Sequence, residues 1–385
     1  MNSGLIRLRP TFAQISLANL RHNIEILRAL SAAPFFCPMV KANAYGHGDI
    51  EVTRVLRDCG VTHVGVALIE EGIRLRQSGD RQGILVFAPF DLARAKVLVE
   101  HDLTLVASDF AQLEALSELA PKPSRRPLLH LKFNTGMNRR GFRFTDAKKV
   151  REWIDQNPAF DFEGIATHLF QGEDAGRPHQ ETERQLTRLA EIAGAFDGVK
   201  LPANRPLRIH ALNSAGLSNL PGHTVGARPG IAVYGAASRS AIEGRPDLKP
   251  VMSLKTAIVE FQRAQTGEGV SYGATWKVQR DSLLGILPIG YADGYNRLLS
   301  NRSSVLVQGR RAPVVGRVCM DYVMIDLTDI VSEKKQSLSV AEEVVLIGSQ
   351  GDETILAEEL ADLVGTVSYE ILTGISSRVP REYIG

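Results

Sequence analysis

Lys41 ends a short apolar run and opens the segment Val40-Lys41-Ala42-Asn43-Ala44-Tyr45-Gly46-His47-Gly48. A lysine walled in by apolar residues loses charge and becomes a nucleophile toward carbonyls, which a Schiff base to an aldehyde requires. A lone lysine is ordinarily a solvated surface charge, so the reading rests on what ends the other runs. One ends in His130-Leu131-Lys132-Phe133-Asn134-Thr135-Gly136-Met137-Asn138-Arg139-Arg140-Gly141, another in Thr167-His168, and another in His210-Ala211-Leu212-Asn213-Ser214. The last ends in Gly226-Ala227-Arg228-Pro229-Gly230-Ile231. Converging, these ends would supply a lysine, a histidine, a serine with glycines, and two arginines.

Ser214 and the backbone around Gly230 and Ile231 suit a phosphate, which N–H groups and hydroxyls bind at strand ends of this kind. The plainer role of such glycines is to shape turns. Pyridoxal phosphate is an aldehyde that carries such a phosphate. With that cofactor, Arg228 gains meaning: a carboxylate at the ring nitrogen protonates it and deepens the electron sink, whereas an arginine leaves it unprotonated. The weaker sink suits simple proton removal and return. An arginine more commonly pairs with a surface carboxylate. His168 could stack on or orient the cofactor, while His47, His130 and His210 are read as structural. No two of these histidines have the spacing of a metal motif, so no metal is expected.

These ends need a scaffold that gathers strand termini. Apolar runs begin near Phe36, His63, Gly83, Leu103, Leu128, Phe162, Arg208 and Thr224, with helical spacing between most of them, as in Leu113, Leu116 and Leu119. About eight strands alternating with helices predict an α/β fold, a (β/α)8 TIM-type barrel with its chemistry at the C-terminal strand ends. An amphipathic helix carrying Leu20, Ile24 and Leu27 precedes it. Past Tyr234 the runs Leu254–Phe261, Leu283–Ile289, Val305–Val307 and Val318–Leu327 are β-branched and glycine-separated, with one helical segment at Ile355–Val364. The length of 385 residues fits two domains: a barrel over 10–240 and a mainly-β domain over 241–385, joined around Gly235–Pro250.

Lys+Arg number 45 against 43 Asp+Glu, and no tract concentrates basic residues, so neither nucleic acid nor an anionic membrane is an expected partner. No apolar run reaches the length of a membrane span, and Met1–Pro10 carries no secretory pattern, so the chain is expected in the cytoplasm. Cys37, Cys59 and Cys319 are too scattered for a disulfide framework.

With these segments assembled, the sequence resembles the bacterial alanine racemase family over nearly its whole length. The Val40–Gly48 run is similar to the family's cofactor-lysine signature, which implies that Lys41 holds pyridoxal phosphate. Lys132–Gly141 is similar to the motif in which the lysine is often carbamylated and orients an arginine, here Arg139, toward the cofactor and the substrate carboxylate. Two departures stand in it: Asn134 replaces the usual aspartate, and Arg140 replaces a commonly apolar residue.

The resemblance further implies that His168 stacks on the ring, that Arg228 faces its nitrogen, and that Tyr45, Asn213, Ser214, Gly230, Ile231 and Tyr369 bind the cofactor. Val270-Ser271-Tyr272-Gly273-Ala274-Thr275-Trp276 is similar to the segment bearing the family's tyrosine base. Met320 and Asp321, in the stretch from Arg317, would line the substrate pocket. Tyr291 would narrow the entrance with Tyr369, with Arg297, Arg317 and Glu173 further out. Because the tyrosine and methionine reach the other subunit's barrel in that family, the resemblance implies a head-to-tail homodimer with composite sites.

The expected activity is interconversion of L- and D-alanine by two bases, Lys41 on the D-isomer's proton and Tyr272 on the L-isomer's. It would supply D-alanine for peptidoglycan or degrade alanine. A phenol ordinarily ionises near pH ~10, so Tyr272 needs help from cations or hydrogen bonds, with His168 linked to Arg228 as the expected source. Three alternatives remain: a racemase of broader range, a decarboxylase of basic amino acids with the same architecture, and a non-catalytic cofactor carrier. Arg228 argues against the decarboxylase, and a carrier would lack the segment bearing Tyr272 and Met320.

Overall fold

The apolar runs become parallel strands. In the computed structural model, the residues described are 8–119, 126–171, 180–202, 205–236, 247–334 and 338–385. They fall into two compact units, Leu20–Leu248 and Met1–Asn19 with Lys249–Gly385.

In the first unit, His63–Val66, Gly83–Val86, Thr104–Ala107, Leu128–Asn134, Asp161–Ala166, Arg208–Leu212 and Gly226–Ala227 lie side by side in chain order, each parallel to the next. The run at Phe36 closes the ring. Phe36 bridges to Ala227 on one side and Met39 to Gly65 on the other, both parallel. Pro38 has no N–H to donate, so this segment is a seam of single bridges rather than a long ladder. Its backbone still pairs on both sides, Cys37 N–H with the Ala227 carbonyl at 2.9 Å and Val40 N–H with that of Gly65 at 2.8 Å.

Each of the eight expected runs therefore has its place in the TIM-like barrel. The strands read as continuous apolar runs because both faces are covered, and Thr104–Ala107 is buried throughout. The helices between them bury one stripe each: in Ala147–Gln156 it is Ala147, Val150 and Ile154. Asp91 and Asp109 cap two of these helices by accepting the N–H groups of Arg94 and Gln112.

The first strand departs from the expected boundary at residue 10. Phe12–Ser16 belongs to the second unit, antiparallel to Met252–Ala257 and parallel to Arg381–Ile384. Its alternate residues Ala13 and Ile15 are fully buried, the period-two pattern of a strand with one face on a core. The sheet containing it runs Arg310–Pro313, Ser304–Val307, Glu343–Gln350, Met252–Ala257, Phe12–Ser16, Arg381–Ile384, with Glu353–Ile355 on Glu343–Gln350.

A second sheet joins Glu260–Ala264, Ser282–Leu287 and Val323–Asp326. The expected run Leu254–Phe261 is thus divided between two sheets. The single expected helix is in fact one of three among the described residues, Thr328–Lys334, Ala357–Val364 and Ser368–Gly374. Among the described residues no helix is long and apolar enough to cross a membrane.

Candidate active site

Lys41 follows the closing seam of the barrel and starts a turn of unusual hand. Ala42, Asn43, Ala44 and Tyr45 all have φ between 52° and 55°, a left-handed turn that costs L-residues roughly 1–2 kcal/mol each. Hydrogen bonds hold it: Ala44 N–H to Val40 at 2.9 Å, Gly46 N–H to Ala42 at 3.0 Å and Gly48 N–H to Asn43 at 2.9 Å. The Glu71 carboxylate accepts Ala42 N–H at 2.6 Å with one oxygen and the N–H groups of Ala67 and Leu68 with the other. Gly46 and Gly48, with φ 87° and 94°, let the chain leave the turn. The turn presents a half-buried Lys41 whose ammonium is destabilised by burial and then by the charge of Arg139, against a smaller opposing pull from Glu71.

The neighbouring strand ends are electropositive. Burial, reinforced by Arg139, Arg228, Arg140 and Lys41, pushes the Lys132 amine down to about 8. Burial and the charges of Arg228, Arg139, Lys132 and Lys41 push His168 down to about 3, so its imidazole is neutral at physiological pH. Cations thus gather where an anionic substrate or phosphate would be welcome.

Arg228 is buried and has no carboxylate partner among the described residues. Its Nη1 donates to His210 Nδ1 at 2.6 Å and to the His210 carbonyl at 2.7 Å, and its Nη2 donates to the Thr167 carbonyl at 2.5 Å. Its partners are therefore His210 and Thr167 rather than His168. Among the described residues the link expected from His168 to Arg228 is electrostatic, and the side-chain donation to His168 comes from Gln185 Nε2 to its carbonyl.

On another side of the mouth, Ser214 Oγ accepts Gly230 N–H at 2.9 Å and Ala232 N–H at 3.2 Å. Asn213 caps the helix Ser214–Asn219 by accepting Gly216 N–H at 2.8 Å and donates to the Leu169 carbonyl. Ile231 begins the short turn Ile231–Tyr234. A β-carbon at residue 230 would clash with the Tyr45 hydroxyl, so Gly230 keeps that hydroxyl in the mouth.

Both departures in the Lys132 motif have structural partners. Asn134 Oδ1 accepts the N–H groups of Gly136 and Asn138, as a carboxylate would, and its amide adds a donation to Asn138 Oδ1 at 3.0 Å. Arg140 reaches the Phe87 carbonyl at 2.8 Å and Ser108 Oγ at 2.9 Å, fastening the segment to two neighbouring strand ends. Arg139, beside it, is exposed.

The remaining expected site residues lie in the second unit. Tyr272 stands on a tight turn entered through Ser271 at φ 63° and is 71% exposed. Ser271 Oγ donates to the Arg317 carbonyl, and Gly273 of the same turn lies against the Arg317 guanidinium. Met320 is 52% exposed. The Tyr291 segment runs beside it, with Tyr291 N–H on the Cys319 carbonyl and Ala292 N–H on that of Met320. Asp321 is paired with Arg378 at 2.7 Å. Arg297 and Tyr291 line a cavity of about 300 Å³ with Glu370 and Ile371, next to the half-buried Tyr369. Tyr295 is a packing residue, its hydroxyl 2.9 Å from Ser303 Oγ in the core. Glu173 lies outside the described residues.

The barrel unit thus brings together Lys41, Tyr45, Lys132, Arg139, His168, Asn213, Ser214, Arg228, Gly230 and Ile231. Sequence reasoning missed Glu71, whose contact with Ala42 spans 29 positions and leaves no local signal. It also left His210 and His130 as structural, although they lie behind Arg228.

Comparison with known proteins bears on the whole chain. The family models for the N-terminal and C-terminal domains of alanine racemase match residues 15–238 and 251–383. The chain is 39% identical to the alanine racemase of Symbiobacterium thermophilum, covering 98% of both chains, and 36% identical to that of Clostridium novyi, covering 98% of this chain and 96% of that one. The crystal structure of alanine racemase from E. faecalis superposes with a TM-score of 0.86 at 32% identity over 98% of both chains. That from Clostridium difficile gives 0.88 at 30% identity over 99% of this chain and 97% of that one. With both domains matched and relatives above 30% identity over nearly its full length, the chain belongs to the alanine racemase family.

Proposed function

We propose that this chain is a pyridoxal-phosphate-dependent alanine racemase that works as a homodimer in the cytoplasm. The observation that carries the reading is Arg228: buried, bonded to His210 and to main-chain carbonyls, and without a carboxylate beside it among the described residues.

The residues fit the cofactor. Lys41 has an amine that sheds its proton more readily than usual, and Gly230 leaves the Tyr45 hydroxyl clear. Lys41 would hold the aldehyde carbon, Arg228 would face the ring nitrogen, and His168 would stand against the ring. Tyr45, Ser214, Gly230, Ile231 and Tyr369 would take the phosphate, with Asn213 fixing the Ser214 turn. When bound, the cofactor delocalises the negative charge that develops at the substrate Cα.

The chain's own work is to hold the substrate carboxylate and move two protons. Arg139 and Met320 orient alanine, while Tyr291, Arg297, Arg317 and Asp321 line the approach, as Glu173 is expected to. Lys41 Nζ takes or returns the Cα proton on the D face. The Tyr272 hydroxyl does so on the L face, so the centre inverts only because the two groups stand opposite one another. The exposure of Tyr272 and Met320 supports delivery into the barrel of a second copy. Lys132, with its depressed amine, is the residue for carbamylation. The free thiols of Cys37, Cys59 and Cys319 suit a cytoplasmic enzyme making D-alanine for cell-wall precursors or degrading alanine.

The arginine at the ring nitrogen disfavours a decarboxylase, and the second unit disfavours a carrier. A racemase of broader range is separated by substrate panel. The test is D-alanine formation from L-alanine by the purified chain with added pyridoxal phosphate, beside Lys41→Ala and other L-amino acids. Rapid inversion of alanine, abolished in the variant and much slower elsewhere, is expected. A wild type that binds the cofactor and inverts nothing would overturn the reading.

A further inference from the structure

Behind Arg228 the barrel interior holds a buried polar chain that the racemase reading does not use. Arg228 Nη1 is 2.6 Å from His210 Nδ1, and His210 Nε2 is 2.9 Å from His130 Nδ1. His130 Nε2 faces Glu163 Oε2 at 3.7 Å, an ion-pair distance, with no hydrogen-bond partner among the described residues. Both imidazoles are fully buried. Glu163 in turn accepts from Arg208 at 2.8 Å and Arg205 at 3.5 Å and lines a cavity of about 650 Å³ where these strands begin.

The two ends dictate where every proton sits. A guanidinium only donates, so His210 Nδ1 must accept, which puts the His210 hydrogen on Nε2. That hydrogen points at His130 Nδ1, which must accept in turn, leaving the His130 hydrogen on Nε2 facing a carboxylate. Neither ring can be doubly protonated without two hydrogens meeting. Burial, the leading cause in both, also favours neutral rings. Aligned this way, the chain turns the charge of Glu163 toward His210 Nδ1 and compensates a buried guanidinium that has no counter-ion of its own among the described residues.

We propose that Glu163 is a positioning residue which, through the neutral Nε2–H tautomers of His130 and His210, fixes the orientation and charge of Arg228. The consequence for catalysis rests on Arg228 facing the cofactor's ring nitrogen. The tautomers do not.

The test is 15N NMR of the histidine-labelled chain, first without cofactor. Wild type is expected to show His130 and His210 both as Nε2–H tautomers. In Glu163→Gln, which lacks the charge that His130 Nε2 faces, Arg228 should still hold both tautomers, while the 15N resonance of His130 Nε2–H, and less so that of His210, moves toward the value of a weaker hydrogen-bond donor; Glu163→Asp should retain the wild-type shifts. With pyridoxal phosphate added, kcat for alanine should fall about tenfold in Glu163→Gln at nearly unchanged KM, because the charge facing the buried His130 ring is lost. An Nδ1–H or doubly protonated His210 in the wild type would overturn the proposal whether or not any variant folds, as would unaltered 15N shifts of His130 and His210 in a folded Glu163→Gln. A chain with the expected tautomers and the expected response to Glu163→Gln that inverts no amino acid would uphold the relay and remove the racemase reading instead.

Discussion

The Tyr45 hydroxyl occupies the space that a β-carbon on residue 230 would need. Gly230→Ala therefore forces the tyrosine ring away from the mouth, an overpacking that ordinarily costs about 1–3 kcal/mol. Its expected effect falls on cofactor affinity, with a Kd for pyridoxal phosphate raised on the order of tenfold by the lower end of that cost. Removing the hydroxyl in Tyr45→Phe/Gly230→Ala should recover part of the fit. Absorbance titration of the cofactor measures both, and an unaltered Kd in Gly230→Ala would detach Gly230 and Tyr45 from the phosphate.

On the proposed two-base reading, Tyr272→Phe removes one proton-handling group and leaves the other. General acid–base groups typically contribute about 10²–10⁴-fold. The loss should appear in exchange of the Cα proton of L-alanine with deuterated solvent, and far less in exchange from D-alanine, which the proposal assigns to Lys41. Equal losses from both isomers would remove the assignment of faces.

The barrel was legible because its strands are covered on both sides and stand as apolar runs between helices; each run from Phe36 to Thr224 has its place in the ring. Phe12–Ser16 was not, because its partners Met252–Ala257 and Arg381–Ile384 lie hundreds of residues away and a local pattern carries no such pairing. The same divide runs through the site. Lys41, Arg139 and Arg228 stand out as candidates because strand ends and motifs mark them. The left-handed run Ala42–Tyr45 was hidden, since alanine and tyrosine carry no preference for positive φ. His130 and His210 became a unit only when two strands set their rings 2.9 Å apart.

Lys132 should take up carbon dioxide in a pH-dependent way. Carbamate forms only on the neutral amine, and an amine at about 8 gains that form as pH rises from 7 to 9. With 13C-bicarbonate, a carbamate resonance should grow across that window and be absent in Lys132→Ala. Arg140 is one of the charges that lower this amine, so Arg140→Leu should move the same rise to higher pH. A missing resonance at every pH would leave Lys132 as an unmodified member of the polar network.

Four histidines tie the barrel's stability to acid. His63 is pushed down to about 4 and His168 to about 3, and His130 and His210 are lowered as well, burial leading in each case. A depressed folded value means the unfolded chain binds more protons below its own value of about 6.5, so this stability is fully present above pH ~6.5 and drains as pH falls toward the folded values. Each such histidine contributes a slope approaching about 1.4 kcal/mol per pH unit within its window. Urea midpoints measured at pH 7, 6 and 5 should therefore fall steadily, and His168→Gln, which removes one titrating ring, should flatten the decline. A midpoint constant from pH 7 to 5 would mean that these imidazoles are protonated as readily in the folded barrel as in the unfolded chain, which a neutral His210 accepting from Arg228 does not allow.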